Sequence, residues 1–510
     1  MVWDEPTVHR VRLHIFVSID PETGDLLIRQ NGYCQIGLIS AAAWGFANLS
    51  PSLDVIAPYD GGQVLVDTRN YDYSGWETPL VIVQGQNGGV FVHGEPINYR
   101  YKTLRYETDT AGKSLGFGVT PQAPFVDATE VESSTWRLNT YQGGWEVPAR
   151  IYRDRMPEQS FDPAWVDDIN VVIIHDNVDV NMLEPLSRQV DPSQTLIYMN
   201  SWRRGGHDKD LPDYGTDQVL PDFTRFVEAA HRFGFKIMVH VNMLGVTPEH
   251  PLYAEFEQFQ IRQDDSQRTG WAWDDLTDPH RHAFINPAST AYRRMFVDTL
   301  QGLRQRYNID AFHLDINVLY NDNNGKIDGL SMTQGNVLLY QELKQTMPGV
   351  VLGGEHLDDM MAPYMRFVQR KWKPHQKPQQ PHRISCFLFS RYLEGYTKFV
   401  KNPDNSPEEY ALFLDTPEVC DILLTIRIHD FGDLIESDKP RTFQLFALAR
   451  EKQNWKFGDI NDDGVVNILD LVIVAQTLGN PDTMTDINRD GIVNILDLVL
   501  VAQELGRESR

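Results

Sequence analysis

Asp315 ends the run Ile309-Asp-Ala-Phe-His-Leu-Asp, and Glu355 ends Val350-Val-Leu-Gly-Gly-Glu forty residues on. Both runs read as strands closing in a carboxylate. In the first, strict alternation sets Phe312 and Leu314 on one face and Ala311, His313 and Asp315 on the other. Neighbouring strands of a sheet lie roughly 4.8 Å apart. Carboxylates at two adjacent strand ends can therefore sit about 5–5.5 Å from each other, the separation used in retaining glycoside hydrolysis. One carboxylate attacks the anomeric carbon and the other protonates the leaving oxygen. On that pattern Asp315 is the nucleophile and Glu355 the acid/base, and Gly353-Gly354 allows close approach beside Glu355.

Other residues could line such a site. His240 and Asn242 share one face of Lys236-Ile-Met-Val-His-Val-Asn242. His313 either meets a substrate hydroxyl, supports Asp315, or is a satisfied core histidine. Trp202, Trp271 and Trp273 fall in loops after strands, where they either stack on sugar rings or pack. Asn286 lies in Phe284-Ile-Asn286-Pro, and His429-Asp430 ends a late strand. Asn321 to Asp328 reads as a polar turn rather than an ion loop. Trp76, Trp136 and Trp145 read as core or interface residues before sugar platforms.

A second constellation is local. Asp459, Asn461, Asp463, Val465 (through its carbonyl), Asn467 and Asp470 occupy positions 1, 3, 5, 7, 9 and 12 of a loop with Gly464 at position 6. Asp486, Asn488, Asp490, Ile492, Asn494 and Asp497 repeat it 27 residues later, with Gly491 at position 6. Hard oxygen donors at this spacing form the EF-hand calcium arrangement, one Ca2+ per loop. Position 12 is Asp where Glu is usual. Each loop runs into an apolar helix, followed by Gly479 or Gly506.

The elements that must hold these residues fall into three parts. Residues 1–150 offer short alternating runs between Gly/Asn/Asp turns and predict a β-sandwich. Residues 151–450 alternate strand, loop and helix and predict a (β/α)8-type barrel, with carboxylates at the C-terminal strand ends. Its strands are expected at 169–175, 195–200, 236–242, 309–315 and 350–355, with Ile384–Phe389 sixth and Ile422–Asp430 seventh. No eighth strand is evident, so the barrel is expected to be incomplete. Residues 456–507 form the paired calcium module. The fold class is thus multidomain α/β plus β.

The net charge of −25 disfavours nucleic acid or an anionic membrane surface, both of which need a basic face. Cys34, Cys386 and Cys420 are too few and too dispersed for a disulfide framework or zinc ribbon, and read as small buried hydrophobes. No apolar run reaches the roughly 18 residues of a membrane span. The start, Met1-Val-Trp-Asp-Glu, shows no signal peptide. Taken alone this reads as cytoplasmic, but the calcium repeats point to an extracellular or cell-surface setting.

The duplicated loops over Phe457 to Gly506, each with a terminal Asp and one following helix, resemble a type I dockerin. That resemblance implies a cohesin-bearing scaffold as partner and a polysaccharide-active enzyme upstream. Ile468-Leu469 and Ile495-Leu496 stand where more polar residues often contact the cohesin, so a calcium-stabilised cap is the alternative. The barrel resembles glycosidases of the α-amylase clan and, more specifically, endo-α-N-acetylgalactosaminidase-like enzymes. These carry an aspartate nucleophile after the fourth strand, a glutamate acid/base after the fifth, and an N-terminal β-sandwich. The likeness falls on Asp315 and Glu355, and on His429-Asp430 as a pair after the seventh strand. His313 departs from the amylase pattern, which has Arg at that position, and this argues against a starch-type substrate. The implied function is a secreted glycosidase acting on a carbohydrate and needing no cofactor for catalysis. A non-catalytic carbohydrate-binding or scaffold protein with a decayed barrel is the alternative. A metal-dependent barrel using His240, His313 and Asp315 lacks His-x-His spacing.

Overall fold

The structure is a computed structural model. It describes residues 2–505 apart from 6–9, 96–98, 133, 160–161, 205, 216–217, 263–267, 272–280, 371–379, 398–400, 409, 412–421, 462 and 482–484. The N-terminal part folds as two antiparallel sheets sharing one core. The larger has nine strands, ordered Val2–Glu5, Val11–Ile19, Leu26–Cys34, Trp136–Gln142, Gly88–Gly94, Leu80–Gln84, Asp54–Ala57 and Gln63–Val64, with Glu130–Val131 also on Leu26–Cys34. The smaller is ordered Ala42–Leu49, Lys113–Val119, Lys102–Thr108 and Arg69–Tyr71. Trp76, Trp136, Phe117, Tyr106 and Val55 fill the space between them. Trp76 and Trp136 are therefore packing residues, and Trp145 packs edge-on against His382 and Phe387 next to the barrel.

Eight parallel strands follow, labelled here β1 (Val171–His175), β2 (Thr195–Met199), β3 (Lys236–Asn242), β4 (Ala311–Asp315), β5 (Val351–Gly354), β6 (Phe367–Arg370), β7 (Glu394–Thr397) and β8 (Leu424–Ile428). They neighbour one another in chain order, and β8 returns to pair with β1. Among the described residues, β7 and β8 meet at one parallel bridge, Gly395–Ile422, where the Leu423 N–H donates to the Gly395 carbonyl at 2.8 Å. This is the loosest seam of the ring. β1 and β2 are buried along their whole length, which is why their sequences are almost unbroken apolar runs, and β4 is buried throughout with His313 and Asp315 on its inner face.

The expected barrel is corrected in two places. Ile384–Phe389 is an α-helix, not the sixth strand, and its buried residues Ile384, Ser385, Leu388 and Phe389 follow a helical spacing. The true β6 and β7 lie on either side of it, and the strand expected as seventh is β8. The ring therefore has all eight strands. The cysteine expectation is corrected at Cys386, which is disulfide-bonded, while Cys34 is buried as expected.

Two helices bracket β4. Thr290–Tyr307 starts on Ser289, whose hydroxyl accepts from the Tyr292 N–H, and ends on Asn308 in the left-handed region. Met332–Thr346 starts on a Ser331/Gln334 capping box. At the C-terminus, helices Ile468–Gln476 and Ile495–Glu504 pack through a small core of Val474, Val493 and Val501. Among the described residues no helix is long and apolar enough to cross a membrane.

Candidate active site

β3, β4 and β5 bring their C-terminal ends together at one mouth of the barrel. In register, Asn242 faces Asp315 and His240 faces His313. Asp315 is buried; its Oδ2 accepts from Asn242 Nδ2 at 3.4 Å and lies 3.7 Å from His240 Nε2. Glu355 is the first residue past β5. Its N–H donates to the Leu314 carbonyl at 3.2 Å, and its Oε2 accepts from the Ile316 N–H at 3.3 Å. One carboxylate is thus held by the residue that follows the other. His356 Nε2 lies 3.4 Å from the same oxygen.

One layer deeper, His313 is fully buried, with Nδ1 bonded to the Tyr396 hydroxyl at 2.6 Å and its ring 4.9 Å from that of Tyr198. Burial, together with the negative charges of Asp315 and Glu355, pushes the Tyr396 and Tyr198 phenols well above their ordinary value. Both stay protonated beneath the carboxylates.

The loop after β2 adds residues that the sequence reading passed over. Asp208 is buried at φ +51, with Oδ1 3.7 Å from His240 Nε2 and Oδ2 3.0 Å from His207 Nε2. Burial raises its carboxyl pKa, but His240, His207 and His282 more than offset this and hold the group well below the usual carboxylate range. Donor atoms of His207, Asp208 and His240 all lie within 4.8 Å of one another. The one available signal was a His-Asp dipeptide behind Gly205-Gly206, past a strand end.

Several expected contacts have other roles. Trp202 is buried; its Nε1 donates to the His240 carbonyl at 2.8 Å and its ring stacks on Tyr214, so it supports β3 rather than meeting a sugar. Asn286 is buried and donates to Asp322 at 2.6 Å, anchoring the loop. Asp430 is exposed and caps the turn Phe431–Leu434. His429 pairs not with Asp430 but with Asp176 beyond β1, at 2.6 Å, and the same carboxylate holds Arg427. These two follow β8, not the seventh strand. Trp271 is half-buried, its ring 5.7 Å from that of His282, which bonds the Asp208 carbonyl. Trp273 lies outside the described residues.

In the C-terminal loops, Asp459 accepts from the Asp463 and Gly464 N–H groups, and buried Asp470 accepts from Ile460, Asn461 and Asn467. Asp486 and Asp497 repeat this against Asp490, Gly491, Asn488 and Asn494. Gly464 and Gly491 sit at φ +82 and +102, as the sixth-position turn requires. Asn467 and Asn494 fold back onto the Val465 and Ile492 carbonyls. Converging carboxylates, amides and a carbonyl are an oxygen-only donor set that fits Ca2+.

Residues 457–506 match the Dockerin type I domain. Residues 133–325 match a domain of unknown function, DUF6259, which takes in β1 to β4 and Asp315. No curated protein matches the chain. Among solved structures, the alpha-N-acetylgalactosaminidase NagBb from Bifidobacterium bifidum, as its GalNAc complex, is similar at 12% identity and a TM-score of 0.63 over 89% of this chain and 82% of that one. A GH31 family sulfoquinovosidase from E. rectale is similar at 13% identity and a TM-score of 0.59, over 89% and 74% of the two chains. A GH36 alpha-galactosidase, AgaA from Geobacillus stearothermophilus, in complex with raffinose, gives 10% identity and a TM-score of 0.53 over 87% and 70%. At these identities the likeness is one of fold.

Proposed function

We propose that this chain is a secreted retaining glycoside hydrolase, divided into a sandwich (1–150), a catalytic barrel (151–450) and a dockerin (456–507). The observation that carries the reading is the placement of Asp315 and Glu355 at adjacent strand ends, joined through the Ile316 N–H. Asp315 attacks the anomeric carbon while Glu355 gives its proton to the leaving oxygen, so the glycosidic bond breaks as the ester to Asp315 forms. Glu355 then takes a proton from water, which displaces Asp315 and restores both groups. Asp208, ionised among three histidines, accepts from sugar hydroxyls, and His240 and His207 present ring nitrogens beside it. Trp271 supplies an aromatic wall. α-Linked, galacto-configured sugars are the first substrate class to test, since the similar structures include an alpha-N-acetylgalactosaminidase and an alpha-galactosidase.

The C-terminal module binds two Ca2+ through Asp459, Asn461, Asp463, Val465, Asn467 and Asp470 and their repeats, and tethers the enzyme to a cohesin scaffold outside the cell. The Cys386 disulfide supports an oxidising compartment. Eight parallel strands, where seven were expected, weaken the decayed-barrel argument for a non-catalytic reading. A metal-assisted hydrolase is favoured by one observation, the His207–Asp208–His240 cluster. Activity retained in a chelator excludes it.

The test is hydrolysis of a panel of aryl α-glycosides by wild type, Asp315→Ala and Glu355→Ala, with melting and calcium binding as folding controls. Both variants are expected to lose turnover while the controls hold. Full activity in Asp315→Ala overturns the proposal.

A further inference from the structure

We infer that Ile316, Asn317 and Gly354 form a clamp that fixes Glu355 relative to Asp315, making Asn317 a positioning residue for the acid/base; the inference rests on the carboxylate-pair reading above. The observation that prompts it is the backbone directly after Asp315. Ile316 lies at φ +52, a left-handed conformation that a β-branched residue rarely adopts. This turn lets Ile316 present its N–H to Glu355 and sends the next side chain toward β5.

Asn317 is fully buried, and it spends both ends of its amide on the segment that carries Glu355. Its Oδ1 accepts from the His356 N–H at 2.7 Å, and its Nδ2 donates to the His356 carbonyl at 2.9 Å. Nδ2 also reaches the Tyr340 hydroxyl at 3.1 Å, tying the clamp to helix Met332–Thr346. With the Glu355 N–H on Leu314 and the Glu355 carboxylate on Ile316, the β4 exit holds the two-residue segment after β5 through Leu314, Ile316 and Asn317.

The opposite side is cut to fit. A Cβ on Gly354 would lie 2.5 Å from Asn317 Nδ2 and 2.8 Å from Met365 Sδ, so only glycine lets the amide pass. The separation of the two carboxylates is thereby set by backbone and buried amide, not by free rotation of Glu355. Misplacing a reacting group by about 1 Å can cost about 10²-fold in rate, and general-acid assistance is worth about 10²–10⁴-fold. A clamp on the acid therefore matters most when the leaving group needs its proton.

A purely structural amide would behave differently. The experiment compares wild type, Asn317→Ala, Asn317→Asp, Gly354→Ala and Glu355→Ala on aryl α-glycosides of graded leaving-group acidity, from 2,4-dinitrophenyl to 4-methylumbelliferyl, with the pH profile of kcat/KM. Asn317→Ala and Gly354→Ala are expected to lose about 10²-fold on the poor leaving group, to change little on dinitrophenyl, and to move the basic limb of the profile. Asn317→Asp, which keeps the acceptor for the His356 N–H, is expected to recover part of the loss. Losses equal across all leaving groups, or none, in both Asn317→Ala and Gly354→Ala overturn the clamp. Should Asn317→Ala fail to fold, Gly354→Ala and Asn317→Asp decide the question by the same criterion. A Glu355→Ala enzyme without leaving-group dependence overturns instead the acid/base reading beneath it.

Discussion

Removing calcium should unfold the C-terminal module and leave the barrel standing. Among the described residues, Val474, Val493 and Val501 are the fully buried apolar side chains there, while Ile468, Leu469, Ile495 and Leu496 are exposed. Three buried valines contribute about 1.5–3 kcal/mol each, so about 5–9 kcal/mol together. An ion present at about 100 times its Kd adds about 2.7 kcal/mol, so two ions add about 5 kcal/mol. Two ions would thus supply stability comparable to that of the three buried valines, and without them Asp459, Asp463 and Asp470 would repel one another at close quarters. Calorimetry with and without EDTA is expected to show a low-temperature transition that calcium shifts upward and chelation abolishes. Limited proteolysis should cut within 457–506 only in EDTA. A C-terminal segment that stays protected in excess chelator refutes the reasoning.

Two further outcomes are expected. His93 is buried against Phe91 and Tyr152, and burial lowers its pKa to about 3. Because the folded pKa is below the unfolded one, near 6.5, the stability tied to neutral His93 is complete above that value and drains away as pH falls toward 3; between pH 6.5 and 5 it amounts to about 2 kcal/mol. Urea titrations at pH 7 and 5 should show that His93→Phe shrinks the acid-induced loss by about that amount, and an unchanged difference contradicts it. Asp208→Ala should keep the fold but lower kcat/KM by about 10–100-fold, since a charged hydrogen bond to a sugar hydroxyl is worth about 1.5–3 kcal/mol; wild-type kinetics in this variant remove Asp208 from the sugar site.

The calcium loops were legible because all their donors lie within twelve consecutive residues, so spacing alone sets geometry. β4 and β5 were legible because one alternates strictly and the other is an apolar run ending in Gly-Gly-Glu. β6 and β7 were not: each has four residues, and Gln369, Arg370, Glu394 and Thr397 dilute the apolar signal. The stronger run Ile384–Phe389 took their place because a short apolar stretch does not declare its period. Side-chain roles were hardest. Trp202 and Asn286 have types that suit a sugar site, yet loop packing turns both inward. Asp208 and Asn317 act across distances that only the folded chain closes, and His429 finds Asp176 rather than its neighbour in sequence.

The central claim is that Asp315 forms the covalent bond to the sugar. A 5-fluoro-α-glycosyl fluoride of the sugar the enzyme turns over should inactivate it with one equivalent bound, and peptic digestion with mass spectrometry should place the label on the peptide containing Asp315. Label on another carboxylate, or turnover with inverted anomeric configuration and no trapped ester, contradicts the account.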